Sequence, residues 1–181
     1  LIKAPELNIE KLKTSILKLV DRHDSFRIKY KRNDNNKIIA YYDKHAYVEE
    51  LKILDIRTLR SSNKKSDEVN EKLQTILTKW QSEFNIEKGP LYSVGYLYGY
   101  EDGSSRLYFA LHHLIVDVVS WKILVDDLKN LYNDNNTEIF KTKGSSYRQW
   151  VEVVKNYATN NEEEKRYWYN VLADYDDMSN K

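Results

Sequence analysis

The chain has 181 residues, enough for one domain or one large lobe with a real core. With 41% hydrophobic and 31% charged residues and a net charge of +1, it is globular, and its charge balance gives no reason to invoke nucleic acid or an anionic membrane. Absence of cysteine excludes disulfides, thiol nucleophiles and thiolate metal sites, and no apolar run approaches the roughly 18 residues of a membrane span.

Leu1 to Lys3 reads as the tail of a strand closed by Ala4-Pro5. From Leu7 to His23, Ile9, Leu12, Ile16, Leu19 and Val20 form one helical face with Asn8 as N-cap, a helix suited to packing on a sheet. Ser25 to Lys31 alternates Phe26, Ile28 and Tyr30 with Arg27, Lys29 and Lys31, the pattern of a half-buried strand. Asn33-Asp34-Asn35-Asn36 supplies a turn, and Lys37 to Tyr42 returns as the partner strand.

Tyr47 to Ile56 is expected to be another strand, Ser61 to Ser66 a polar loop, and Asp67 to Phe84 a helix with Val69, Leu73, Ile76, Leu77 and Trp80 on one side. Gly89-Pro90 breaks that helix. Leu91 to Tyr98 then forms a strand that pairs, through the Glu101-Asp102-Gly103-Ser104 turn, with the strand of Leu107 to His113. Asn133 to Glu138 is a loop, Ser146 to Ala158 a helix with Trp150, Val153, Val154 and Tyr157 apolar, and Glu162 to Leu172 a last helix carrying Trp168.

Leu107 to Leu128 organises the rest. Leu107, Phe109, Leu111 and His113 share one face of an alternating strand and Tyr108, Ala110 and His112 the other, so the two imidazoles point in opposite directions. Beyond Leu114, Ile115 and Val116 the spacing becomes helical through Trp121, Leu124, Val125, Leu128 and Leu131, with the helix beginning near Asp117, where a carboxylate is stabilised by free amides and the dipole. The residues by themselves leave alternatives open: a histidine pair in an apolar strand is more often a packing or hydrogen-bonding pair than a catalytic one. His23 and His45 lie in no metal-ligand spacing, and Ser120 lacks the G-x-S-x-G elbow of a serine nucleophile. The 15 tyrosines are not interleaved with clustered basic residues, which disfavours a single-strand nucleic-acid surface.

His112-His113-Leu114-Ile115-Val116-Asp117 resembles the HHxxxD core of the condensation-domain superfamily of nonribosomal peptide synthetases, which shares the fold of chloramphenicol acetyltransferase. Val119-Ser120-Trp121-Lys122-Ile123-Leu124 is similar to the V-S-W-R-I-L run of epimerization domains, whereas ordinary condensation domains more often carry W-S after the motif's glycine. Arg22-His23-Asp24-Ser25-Phe26-Arg27 resembles the second signature R-H-[DE]-x-[LF]-R. Gly89-Pro90-Leu91 and Ser145-Ser146-Tyr147-Arg148-Gln149-Trp150 match the G-P-L link and the T-S-F-x-x-W pattern. One departure stands at Val118, where the family carries glycine; the resemblance implies an active-site tunnel between two lobes, and a β-branched side chain there would narrow that tunnel or strain the turn.

The resemblance implies an α/β sandwich, a chloramphenicol acetyltransferase-like lobe whose mixed, mostly antiparallel sheet is covered by helices. Residues 1–181 would be the N-terminal lobe, without the family's opening helix and C-terminal lobe; the start at Leu1, with Met178 the one methionine, suggests an excised piece. His113 would be catalytic, and His112, Asp117, Arg27, Val118, Ser120 and Trp121 its support, with Arg27 reaching inward to pair with Asp117. The implied activity is epimerization of a carrier-bound aminoacyl or peptidyl thioester. Condensation and a silent carrier-docking module are the alternatives, and a stand-alone acyltransferase using coenzyme A fits the V-S-W-K-I-L context less well. No metal or cofactor would be bound directly: phosphopantetheine would come with a partner carrier domain. The other partners would be the second lobe and neighbouring synthetase modules, with no nucleic acid or membrane, in the cytoplasm.

Overall fold

A computed structural model describes residues 1–44, 50–60, 66–133 and 144–179. The chain divides into two compact units, Leu1–Lys141 and Thr142–Lys181.

The first unit is built on a four-stranded sheet of order β1-β6-β5-β4, comprising β1 (Ile2–Pro5), β4 (Lys52–Asp55), β5 (Tyr92–Tyr98) and β6 (Ser104–Leu111). β6 runs antiparallel to both β1 and β5, while β4 is parallel to β5. The expected hairpin between the last two strands is present, with Val94 opposite Phe109 and Tyr92 opposite Leu111. A separate hairpin joins β2 (Ile28–Arg32) to β3 (Ile38–Tyr42). Its turn is held by the Asn33 side chain, which accepts from the amides of Asn35 and Lys37, and by Asn36 at φ 59°.

The sheet is apolar on both faces. Leu107, Tyr92, Val94 and Tyr96 pack with Leu12, Ile16 and Leu19 of α1 (Ile9–Arg22) and with Leu124, Leu128 and Leu131 of α3 (Val118–Asn133). Tyr108 and Leu97 pack on the other side with Ile56 and with Leu73, Leu77 and Trp80 of α2 (Ser66–Ser82). Close approach on that side requires Gly95: a Cβ there would stand 2.4 Å from Cζ3 of Trp80. Asn8 caps α1 as expected, accepting from the Lys11 amide at 2.9 Å.

Two expected strands have different limits. Residues Asp24–Arg27 form a 3₁₀ turn and the strand begins only at Ile28. The alternation there is misleading because Phe26 is buried edge-on against Tyr92, at 4.8 Å between ring centres, and its amide bonds to the carbonyl of His23. β4 spans Lys52–Asp55, shorter than the expected Tyr47 to Ile56, and Tyr47 to Glu49 lie outside the described residues. Asp55 ends it by accepting from the Arg57 amide. The expected loops at Ser61 to Lys65 and Asp134 to Glu138 also lie outside the described residues.

The second unit consists of α4 (Tyr147–Asn160) and α5 (Glu162–Ser179). Ser146 and Gln149 form a reciprocal capping box that starts α4. The Tyr157 hydroxyl donates to Glu164, and this carboxylate pushes the phenol pKa upward. Trp150, Val153, Tyr157 and Trp168 are exposed. Among the described residues no helix is long and apolar enough to cross a membrane.

Candidate active site

β6 stops at Leu111, so both histidines stand in the turn that follows rather than on the strand itself. His112 still extends the ladder, its amide donating to the Leu91 carbonyl at 2.8 Å. It then builds the turn: Nδ1 accepts from the Leu114 amide at 3.1 Å, and the carbonyl accepts from the Ile115 amide at 2.9 Å. Accepting at Nδ1 uses the lone pair of that nitrogen and leaves Nε2 as the donor side of the ring. The ring lies near Phe84, with centres 6.4 Å apart. Ile115 and Val116 are buried and plug the turn into the core, while the Tyr30 hydroxyl donates to the Leu114 carbonyl at 3.2 Å.

His113 is exposed, with no hydrogen bond or ion pair among the described residues. Strand alternation stops short of both rings; within the turn His112 is half-buried and engaged, and His113 is exposed.

Asp117 closes the turn and opens α3. Its carboxylate accepts from the Ser120 amide at 2.7 Å and the Ser120 hydroxyl at 2.6 Å. These two bonds, the hydroxyl first, hold its pKa below the ordinary carboxylate value. Trp121 packs partly buried against the core, and its amide donates to the Asp117 carbonyl at 3.3 Å. Ser120 is thus a cap partner.

Val118 is 88% exposed at the first position of α3. Among the described residues Asn36 is the one non-glycine with positive φ, so Val118 is in ordinary backbone and the turn is not strained. Of the two effects expected for a β-branched side chain here, strain is excluded.

The expected pairing of Arg27 with Asp117 is not formed. Arg27 donates to the carbonyl of Asp21 at 2.9 Å and to the Asp24 carboxylate. The 3₁₀ turn places those acceptors within reach on its own segment, and Asp117 is occupied by Ser120.

What the second signature does reach is Asp127 of α3. Nε2 of His23 is 2.8 Å and Nε of Arg22 is 3.4 Å from Oδ2 of Asp127. Sequence reasoning missed this acid, although a signal existed. Asp127 falls on the apolar stripe of Leu124, Leu128 and Leu131, where an unpaired carboxylate is costly and a cation is to be sought. No group of three or more histidines and acids among the described residues is placed to hold a metal ion.

A family model described as Condensation domain matches residues 1–180. The chain is 36% identical over 173 residues to N-(5-amino-5-carboxypentanoyl)-L-cysteinyl-D-valine synthase of Penicillium rubens, covering 96% of this chain and 4% of that protein. It has the same identity and coverage against the synthase of that name from Amycolatopsis lactamdurans. Bacitracin synthase 1 of Bacillus licheniformis is 32% identical over 168 residues, covering 89% of this chain and 3% of that one.

Among solved structures, the epimerization domain from the third module of tyrocidine synthetase B superposes with a TM-score of 0.74 at 24% identity, over 94% of this chain and 39% of that chain. The starter condensation domain of rhizomide synthetase gives 0.67 at 14% identity, over 94% and 40%. The chain therefore spans less than a tenth of the curated relatives named above and about two-fifths of these solved domains. Their likeness shows the expected chloramphenicol acetyltransferase-like α/β fold. With the family model covering residues 1–180, the chain belongs to the condensation-domain family of nonribosomal peptide synthetases.

Proposed function

We propose that this chain is the histidine-bearing lobe of an epimerization domain, which inverts the α carbon of a carrier-bound aminoacyl or peptidyl thioester. The observation that carries the proposal is His113, exposed and without a hydrogen bond among the described residues, at the exit of β6 between a turn built by His112 and a helix capped by Asp117. Imidazole exchanges protons near neutral pH, which suits it to this chemistry. His113 takes the α proton from one face, the C–H electron pair passes into the thioester as an enolate, and a second group returns a proton to the opposite face. The resemblance implies that this second group is a glutamate of the C-terminal lobe.

Support for epimerization comes from the Val119-Ser120-Trp121 context and from the relatives at 36% identity, whose name specifies a D-valine residue. The thioester arrives on the phosphopantetheine arm of a carrier domain, and the lobe itself contributes no metal or soluble cofactor to the steps above. Condensation is the second reading, favoured by the description of the family model. There His113 orients or deprotonates the attacking amine instead.

The test is to incubate the full-length protein with a carrier-bound aminoacyl or peptidyl thioester in deuterated water. Deuterium should appear at the α carbon and should vanish in His113→Ala. Amide formation without exchange would replace epimerization by condensation, and exchange that survives His113→Ala would remove His113 from its role.

A further inference from the structure

We infer that His23, through Asp127, is a positioning residue for the turn that carries His113; this rests on the reading of His113 as the group that moves the proton. His23 is placed where three elements meet. Its amide closes α1 on the carbonyl of Leu19 at 3.1 Å, and its own carbonyl accepts from Phe26 at 3.1 Å to open the 3₁₀ turn. Its backbone is therefore fixed on both sides of the residue.

From that point His23 reaches both flanks of the turn. On the helix flank, Nε2 donates to the Asp127 carboxylate at 2.8 Å, with Arg22 3.4 Å from the same oxygen. On the strand flank, the ring lies edge-on to Phe26 at 6.4 Å, and Phe26 lies edge-on to Tyr92 at 4.8 Å. Tyr92 stands opposite Leu111, the last residue of β6, and its neighbour Leu91 holds the amide of His112. Asp127 lies ten residues beyond Asp117, about 15 Å along a straight helix at about 1.5 Å per residue. Turning α3 about its axis would swing the Asp117–Ser120 cap, and with it the turn, away from the strand end. The His23–Asp127 bond opposes that rotation. The side chains of His23 and Asp127 are only 22% and 18% exposed, so water and salt screen the pair less than a surface pair.

The experiment compares His23→Leu, His23→Gln and Asp127→Asn in the full-length protein, reading deuterium incorporation at the thioester α carbon. In His23→Leu, kcat should fall roughly tenfold or more, because misplacing a reacting group by a fraction of an ångström is enough for that. KM should change little, because substrate contacts are untouched. His23→Gln, whose amide nitrogen comes close to the Nε2 position, should recover most of kcat. A purely structural role predicts a lower Tm with kcat per folded molecule unchanged, and that result overturns the inference, as does a failure of glutamine to rescue. Should His23→Leu not fold, Asp127→Asn decides: reduced kcat at normal Tm supports the inference and unchanged kcat overturns it. If the wild-type protein forms amide without α exchange, the epimerization reading alone fails. The same comparison of kcat on amide formation then decides the role of His23.

Discussion

The Leu114 amide donates to Nδ1 of His112 at 3.1 Å, committing one imidazole of the pair to the turn while the ring of His113 has no hydrogen bond among the described residues. Adjacent residues of one type thereby acquire different duties: His112 shapes the backbone that presents His113.

Substituting each histidine should separate these duties. His113→Ala is expected to lower turnover by roughly 10²–10⁴-fold, the usual contribution of a positioned acid/base group, with no loss of Tm. His112→Ala should cost about 1 kcal/mol of stability through the lost hydrogen bond. Chemical denaturation and the deuterium assay, run on both variants, check the division.

Asp117 should contribute to the acid limb of the stability profile. Its pKa is lowered on folding by the Ser120 hydroxyl and amide. The stabilisation is therefore present above the unfolded carboxyl value of about 4 and is lost as pH falls through the lower folded value. Asp102, held by Lys3 and Ser104, shifts in the same direction and acts with it. Asp117→Ala should lower Tm at neutral pH and flatten the fall in Tm between neutral and strongly acid pH, as thermal melts across that range would show.

Arg27 and Asp117 should behave as independent sites. Since Arg27 is spent on Asp21 and Asp24 and Asp117 on Ser120, the destabilisation of the double alanine variant should equal the sum of the single ones. A clear coupling in the double-mutant cycle would mean that the two side chains meet after all.

Gly95→Ala should be strongly destabilising for so small a change. The added methyl would stand 2.4 Å from Trp80, and overpacking of this kind costs about 1–3 kcal/mol. Trp80→Leu in the same chain should return part of that loss, measured by urea denaturation.

Much of this fold was legible because its elements obey one periodicity each. Leu12, Ile16 and Leu19 read as a helix face and form one, and the apolar alternation through Leu107, Phe109 and Leu111 marked the central strand. Around Phe26 the same logic failed, because four residues of alternation fit a 3₁₀ turn as well as a strand when a buried ring and a side-chain network hold the turn. The role proposed for His113 rests on its motif, whereas the partner of the second signature could not be read from sequence. Arg27 and His23 both lie in that signature, and only the fold decides which of them reaches across to α3 and which folds back on its own segment.

Odd-numbered side chains of β6 such as Leu107, Phe109 and Leu111 serve one core and even-numbered ones, Tyr108 and Ala110, the other. Adding or deleting one residue in this strand would exchange the two sets and present each core with the wrong shapes. The strand that leads to His113 therefore has a parity to keep, so length variation in a working copy of this fold must fall in its loops and never within Ser104–Leu111.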